Sequence, residues 1–304
     1  MISEIVEGLR RPQKMIAPKY FYDERGSELF EEITRLPEYY PTQTELGIMR
    51  RHADEIADLI GSRASLIEFG SGSSLKTRTL LEHLHELAAY VPVDIAEDHL
   101  QESAQAVQRE FPETEVLPTV ADFTKPFDLP EPVVEPLRNL VYFPGSTIGN
   151  FTTDSAVDLL RVIHQIAGAH GALLIGADLQ KDPETIERAY NDSAGVTAEF
   201  NLNVLNHLNN VYGGDFDTSR FRHRADYNRD EGRIEMYLVS TAKQEVSIGG
   251  EDVLIEQGEA ILTEYSHKYT LEGFAGMAGE AGYDVDHVWM DDERLFSVQY
   301  LTRS

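Results

Sequence analysis

A chain of 304 residues with 41% hydrophobic content can bury one large core or two modest ones, and its lack of cysteine excludes disulfides, zinc thiolates and cysteine nucleophiles. With 53 acidic against 26 basic residues the formal charge is −27, which disfavours nucleic acid and anionic membrane surfaces as partners. Residues 1–21 hold basic side chains but no apolar stretch of a signal peptide, and no apolar run approaches the ~20 residues of a membrane helix, so a cytoplasmic protein is expected.

The N-terminal stretch is aromatic-rich at Pro18-Lys19-Tyr20-Phe21-Tyr22-Asp23. Residues 26–33 read as a helix capped by Ser27, with Leu29, Phe30 and Ile33 on one face. Tyr39 and Tyr40 stand between Pro37 and Pro41, which predicts a stiff extended segment. Thr42 or Thr44 can cap the next helix, which runs to about Ile60.

From residue 64 strand and helix patterns alternate. Leu66, Ile67 and Phe69 form a short apolar run that ends in Gly70-Ser71-Gly72, and Ser73 or Ser74 can cap a helix running to about Leu87. A strand over 90–95 carries Asp94 near its end, and a helix spans 96–111. A strand over 115–120 leads straight into Asp122 and Phe123. Residues 140–151 read as a strand and its loop, with Asn150 in the loop; a helix over 155–167 and a strand over 171–178 follow. Such alternation predicts a mainly parallel, doubly wound sheet. Ligands of such sheets lie at the carboxyl ends of the strands, where Gly70, Asp94, Asp122 and Asn150 all fall.

The alternation breaks after residue 180. Residues 183–211 are helical with an interruption at Gly195, and 233–239, parts of 243–257 and 260–265 alternate as antiparallel strands. A helix over 270–281 and strands over 283–290 and 295–301 return to the first sheet; this last pair looks like the terminal hairpin of a seven-stranded methyltransferase sheet. The expected organisation is therefore α/β: a Rossmann-like domain of 44–179 with 269–304, and an α+β domain of 1–43 with 180–268.

The glycine turn reads Glu68-Phe69-Gly70-Ser71-Gly72-Ser73. It lacks the third glycine of the dinucleotide fingerprint, since position 75 is Leu, and the spacing of a phosphate-binding P-loop. The form E/D-x-G-x-G resembles the first motif of S-adenosylmethionine-dependent methyltransferases. Asp94 can accept two hydrogen bonds from a ribose diol, a device shared with nicotinamide enzymes, or serve simply as a turn residue. Asp122 can accept from an adenine amino group while Phe123 covers the ring. Lys76 can pair with the cofactor's methionine carboxylate or lie solvated on its helix. The ten histidines show no metal-ligand spacing, and no G-x-S-x-G nucleophile elbow occurs. On these residues alone, a nicotinamide-dependent oxidoreductase and a non-catalytic cofactor-binding module remain alternatives.

Four separated motifs sharpen the reading. Tyr20-Phe21-Tyr22-Asp23-Glu24-Arg25-Gly26-Ser27-Glu28-Leu29-Phe30, Leu36-Pro37-Glu38-Tyr39-Tyr40-Pro41-Thr42, Gly145-Ser146-Thr147-Ile148-Gly149-Asn150 and Thr263-Glu264-Tyr265-Ser266 together resemble the histidine Nα-methyltransferases of ergothioneine biosynthesis, from about residue 18 to the C-terminus. The resemblance implies S-adenosyl-L-methionine as co-substrate, no metal, and trimethylation of the α-amine of L-histidine to hercynine by a monomer; another amino acid or amine acceptor is the alternative. It implies cofactor contacts at Gly70, Lys76, Asp94 and Asp122. It implies substrate contacts at Tyr22, Tyr39, Asn150, Tyr190, Glu264 and Ser266, with Met236 lining the pocket. Tyr22 or Tyr39 is expected to hold the amine toward the methyl donor. Asn150 and Tyr190 can donate to the substrate carboxylate. Glu264 and Ser266, two apart on a strand, share a face, where a carboxylate suits the imidazole N–H and a hydroxyl suits the bare ring nitrogen.

Overall fold

The computed structural model describes residues 2–72 and 75–304, so the Ser73 or Ser74 cap lies outside the described residues. In chain order the elements are α1 (Ile2–Leu9), a 3-10 turn (Pro18–Phe21), α2 (Glu24–Ile33), α3 (Tyr40–Ile60), β1 (Ala64–Phe69), α4 (Leu75–Leu81), β2 (Ala89–Asp94), α5 (Glu97–Glu110) and β3 (Thr119–Val120). There follow β4 (Arg138–Phe143), a 3-10 turn (Thr147–Asn150), α6 (Thr153–Ala167), β5 (Ala172–Asp178), α7 (Pro183–Tyr190) and α8 (Val196–Tyr212). The remainder is β6 (Phe221–Asn228), β7 (Arg233–Ser240), β8 (Gln244–Ile248), β9 (Glu251–Ile255), β10 (Ala260–His267), α9 (Leu271–Glu280), β11 (Tyr283–Met290) and β12 (Phe296–Arg303). The chain divides into two compact units, one of residues 1–40 with 181–267 and one of 41–180 with 268–304. The boundaries expected from the sequence were 44, 180 and 269.

The second of these units is built on a seven-stranded sheet in the order β11-β12-β5-β4-β1-β2-β3. The first five strands are parallel, and β12 runs antiparallel to both β5 and β11. Strands β1 and β5 are buried along their whole length, which is why they read as continuous apolar runs rather than alternating ones. Separate clusters of buried side chains cover the two faces, one including Phe69, Val93, Phe143 and Ile163, the other Met49, Leu66, Tyr90 and Tyr142. The chain moves outward from β1 to β3 and then returns to β4 on the other side of β1. This places the switch point of the sheet between the carboxyl ends of β1 and β4.

The other unit holds a three-stranded antiparallel sheet, β10-β7-β6, and the β8-β9 hairpin. One core joins Leu9, Phe21, Leu29, Phe200, Leu208 and Met236. Along β7, Ile234, Met236, Leu238 and Ser240 are buried in alternation.

Local chemistry moved several boundaries. Helix α2 starts before Ser27 and is capped by Asp23, whose carboxylate accepts from Gly26 N at 2.7 Å. Tyr40 is not extended: α3 begins there, with Pro41 in its first turn, where a fixed φ and a missing N–H are tolerated, and Thr42 and Thr44 lie inside the helix. Helix α4 stops at Leu81 rather than Leu87. The His83 ring nitrogen takes the Thr79 carbonyl at 2.9 Å, while the His83 amide turns to Leu80 O. His83 and His85 therefore lie beyond the helix. The strand over 115–120 is reduced to Thr119–Val120 and a bridge from Val116 to Tyr90: Leu117 and Ala121 donate to β2, and between them Pro92 of β2 has no N–H to give to the ladder. Strand β6 was not anticipated; its alternate positions are charged, and only Phe221 and Ala225 are buried.

Candidate active site

In the sheet unit, β1 ends in Gly70 and Gly72, at φ 69° and 42°, angles at which a side chain is strained. Gly70 N donates to Val93 O at 2.9 Å, which fixes the turn against the end of β2. At that end Asp94 Oδ1 accepts from Ala96 N at 3.0 Å. After β3, Asp122 accepts from Thr124 N at 3.1 Å and from Lys125 Nζ at 2.8 Å. Burial disfavours its charge, but the hydrogen bonds from Lys125 and Thr124 outweigh burial and hold the carboxyl below its usual range. Phe123 stacks on Phe69 at 5.2 Å between ring centroids and meets Phe143 edge-on at 5.7 Å. Asn150 closes the 3-10 turn after β4. Its loop contains Ser146 at φ 58°, a left-handed conformation costly for a side-chain-bearing residue, offset by a hydrogen bond from Asp178 N to Ser146 Oγ at 2.9 Å.

Lys76 is not a solvated lysine. Its ammonium lies 2.5 Å from Oε2 of Glu45, a fully buried carboxylate on α3. Glu45 also accepts from Gly145 N at 3.0 and 3.1 Å, so one side chain ties α3, α4 and the loop after β4. A Cβ on Gly176 of β5 would lie 2.4 Å from Glu45 Oε1 and 3.0 Å from the Phe296 ring, so a side chain there would displace the Glu45 carboxylate. Glu68, the acid of the glycine motif, points into the same layer and accepts from Tyr90 Oη at 2.5 Å. Burial pushes its carboxyl up to about 7, against the opposing hydrogen bonds. Sequence reasoning missed Glu45. Its signal was an acid in register with Met49, Ala53, Ile56 and Ile60 on the buried face of a helix.

Of the seven residues expected to contact substrate, Asn150 belongs to the sheet unit and the other six, Tyr22, Tyr39, Tyr190, Met236, Glu264 and Ser266, to the other unit. Tyr39 meets Tyr190 edge-on at 6.2 Å and Phe30 at 6.4 Å, and Tyr22 meets Phe30 at 5.8 Å. Tyr190 is 6% exposed, and its hydroxyl lies 2.7 Å from Ser266 Oγ. Glu264 pairs with Met236 across β10 and β7, and Ser266 pairs with Ile234, so both polar residues share the face of Met236. Tyr265 faces the other way, where Arg233 lies over its ring at 4.0 Å. A β-bulge between Leu262 and Glu264 sets these faces.

The family model described as "Histidine-specific methyltransferase, SAM-dependent" matches residues 1–303. The chain belongs to this family. Among relatives, it is 38% identical to the histidine N-alpha-methyltransferase of Mycolicibacterium smegmatis over 99% of this chain and 94% of that one. It is 39% identical to the histidine N-alpha-methyltransferase of Mycobacterium tuberculosis over 97% and 92%. It is 33% identical to ergothioneine biosynthesis protein 1 of Neurospora crassa, over 88% of this chain and 31% of that longer protein. Membership of the histidine-specific methyltransferases makes S-adenosyl-L-methionine the co-substrate and removes the nicotinamide alternative. The sheet unit suits that molecule: a turn with two left-handed glycines follows β1, Asp94 ends β2 and Asp122 follows β3.

Proposed function

We propose that this chain transfers methyl groups from S-adenosyl-L-methionine to the α-amine of L-histidine, three times, yielding hercynine. The observation that carries the choice of acceptor is the placement of Glu264 and Ser266 beside Met236 on one sheet face, with Tyr190 bonded to Ser266 and Tyr39 against Tyr190. Neutral imidazole presents one N–H donor and one bare nitrogen. Glu264 accepts from the first. With Tyr190 as donor in its pair with Ser266, the Ser266 proton points away from Tyr190, toward the second.

The cofactor roles are part of the same proposal: Gly70 beside the methionine portion, Asp94 on the ribose hydroxyls, Asp122 on the adenine amine and Phe123 along the ring. Lys76, paired with Glu45, presents its remaining donors to the methionine carboxylate. Asn150 donates to the histidine carboxylate, Tyr190 spends its proton on Ser266 and so orients that hydroxyl, and Tyr22 and Tyr39 orient the amine. S-adenosyl-L-methionine supplies an electrophilic methyl on a sulfonium whose thioether leaves without acid. The protein's part is orientation and exclusion of water, since the neutral amine supplies the electron pair. The cysteine-free composition fits a cytoplasmic setting, and a monomer is part of the proposal. Mass spectrometry of a reaction with histidine and S-adenosyl-L-methionine tests the reading. It predicts products heavier by one, two and three methyl groups; no product with histidine but product with another amine would replace the acceptor.

A further inference from the structure

Behind the proposed ring-recognition face runs a chain of side-chain hydrogen bonds that the reaction itself does not use. Thr263, the residue at the bulge of β10, is 1% exposed. Its hydroxyl lies 2.8 Å from Asn201 Oδ1 and 3.1 Å from Met236 O. Both are acceptors, so Thr263 shares its single proton between them. Asn201, fully buried on α8, spends its two amide protons on His223 Nδ1 at 2.9 Å and Tyr237 O at 3.1 Å. His223, on β6, reaches Tyr190 O with Nε2 at 2.8 Å.

The directions follow from the ends. A carbonyl only accepts, so His223 carries its proton on Nε2 and presents a bare Nδ1 to the Asn201 amide. Asn201 Oδ1 must then accept from Thr263, and turning the amide over would set its oxygen against Tyr237 O. Five segments are joined: α8 at Asn201, the end of α7 at Tyr190, β6 at His223, the carbonyls of Met236 and Tyr237 on β7, and the bulge of β10.

The bulge decides the chemistry of the face. Ile261 pairs with Leu238, on the face of Met236. Counting by two from Ile261 along an unbroken strand would put Tyr265 on that face. The extra residue brings Glu264 and Ser266 there instead. We infer that Asn201, His223 and Thr263 are positioning residues that lock this bulge and the end of α7, and thereby set where Glu264, Ser266 and Tyr190 present themselves to the amino-acid substrate. This rests on the proposed substrate role of that face.

The test uses the full chain and separates substrate from cofactor. Thr263→Val keeps the shape and removes the proton; Thr263→Ser keeps the proton; Asn201→Leu removes the centre of the network. For Thr263→Val the KM for histidine should rise about three- to tenfold, the effect of one lost neutral hydrogen bond. Asn201→Leu strands both His223 Nδ1 and Tyr237 O and should raise KM roughly tenfold or more. Thr263→Ser should stay close to the parent, and calorimetric affinity for S-adenosylhomocysteine should hold in all three. If Asn201→Leu does not fold, the Thr263 pair decides. A parent-like histidine KM in Thr263→Val overturns the inference, whatever Glu264→Gln does in parallel. An unchanged KM in Glu264→Gln with a raised KM in Thr263→Val overturns ring recognition by Glu264 and leaves the positioning set standing.

Discussion

Substituting Glu45 probes the buried link between α3, α4 and the loop after β4 within the sheet unit. Its carboxylate is wholly inaccessible, and the partner Lys76 side chain is 17% exposed. Removing one member of a buried pair leaves the other charge uncompensated, at a cost of ~3–5 kcal/mol. Lys76→Met, which strands a carboxylate with no access to water, should lie in that range. Glu45→Gln keeps an oxygen for Gly145 N and strands an ammonium with slight solvent access, so about 2–4 kcal/mol is expected. At about 2–4 °C per kcal/mol for a domain of this size, the melting temperature should fall by roughly 10 °C. The double variant Glu45→Gln/Lys76→Met carries no stranded charge and should recover part of the loss, with a coupling of about 1–3 kcal/mol. Thermal melts of the four proteins, repeated in urea, measure it. Two single losses below about 1 kcal/mol that simply add would refute the view that this pair holds the layer together.

Three further outcomes follow from the same geometry. Asp94→Ala should weaken S-adenosylhomocysteine binding about 10- to 150-fold, the effect of one lost hydrogen bond to a charged acceptor; unchanged affinity in calorimetry would reassign Asp94 to its turn with Ala96. Glu68 has a folded-state value raised to about 7 from 4.5, so its contribution to stability is complete below about pH 4.5 and is lost as pH rises to about 7. Relative to Glu68→Gln, the parent should lose on the order of 2–3 kcal/mol across that window, and parallel stability curves would show that Glu68 is ionised throughout. Glu264→Ala should raise the histidine KM and relax selection toward phenylalanine or tryptophan while leaving cofactor affinity intact; a parent-like KM would remove Glu264 from ring recognition.

The parallel sheet was legible because its strands are covered on both faces and leave uninterrupted apolar runs such as Leu66-Ile67 and Leu173-Leu174-Ile175. The boundaries that went astray were set by individual side chains. Asp23 displaced Ser27 as a cap, and His83 took the carbonyl that α4 needed to continue. Such contests are settled by which group reaches an unpaired backbone atom first, and hydrophobic period carries no record of that. Strand β6 escaped because charge at alternate positions is as compatible with a loop as with a sheet face.

For the site, the limit lies elsewhere. Candidate contact residues could be named from four motifs, but what supports them is non-local: Glu45 meets Gly145 a hundred residues on, and Asn201 meets Thr263 across 62. The shared face of Glu264 and Ser266 shows how such contacts decide the outcome. Two residues apart on a strand share a face in any register, so the argument from spacing was safe for the pair. It did not determine which face. Counted from Ile261, unbroken alternation turns both away from Met236, and only the extra residue at Thr263 brings them back. That residue is held by Asn201 from α8 and by the carbonyl of Met236, neither near it in sequence. Spacing therefore identified two side chains that share a face, and tertiary hydrogen bonds chose which face it is.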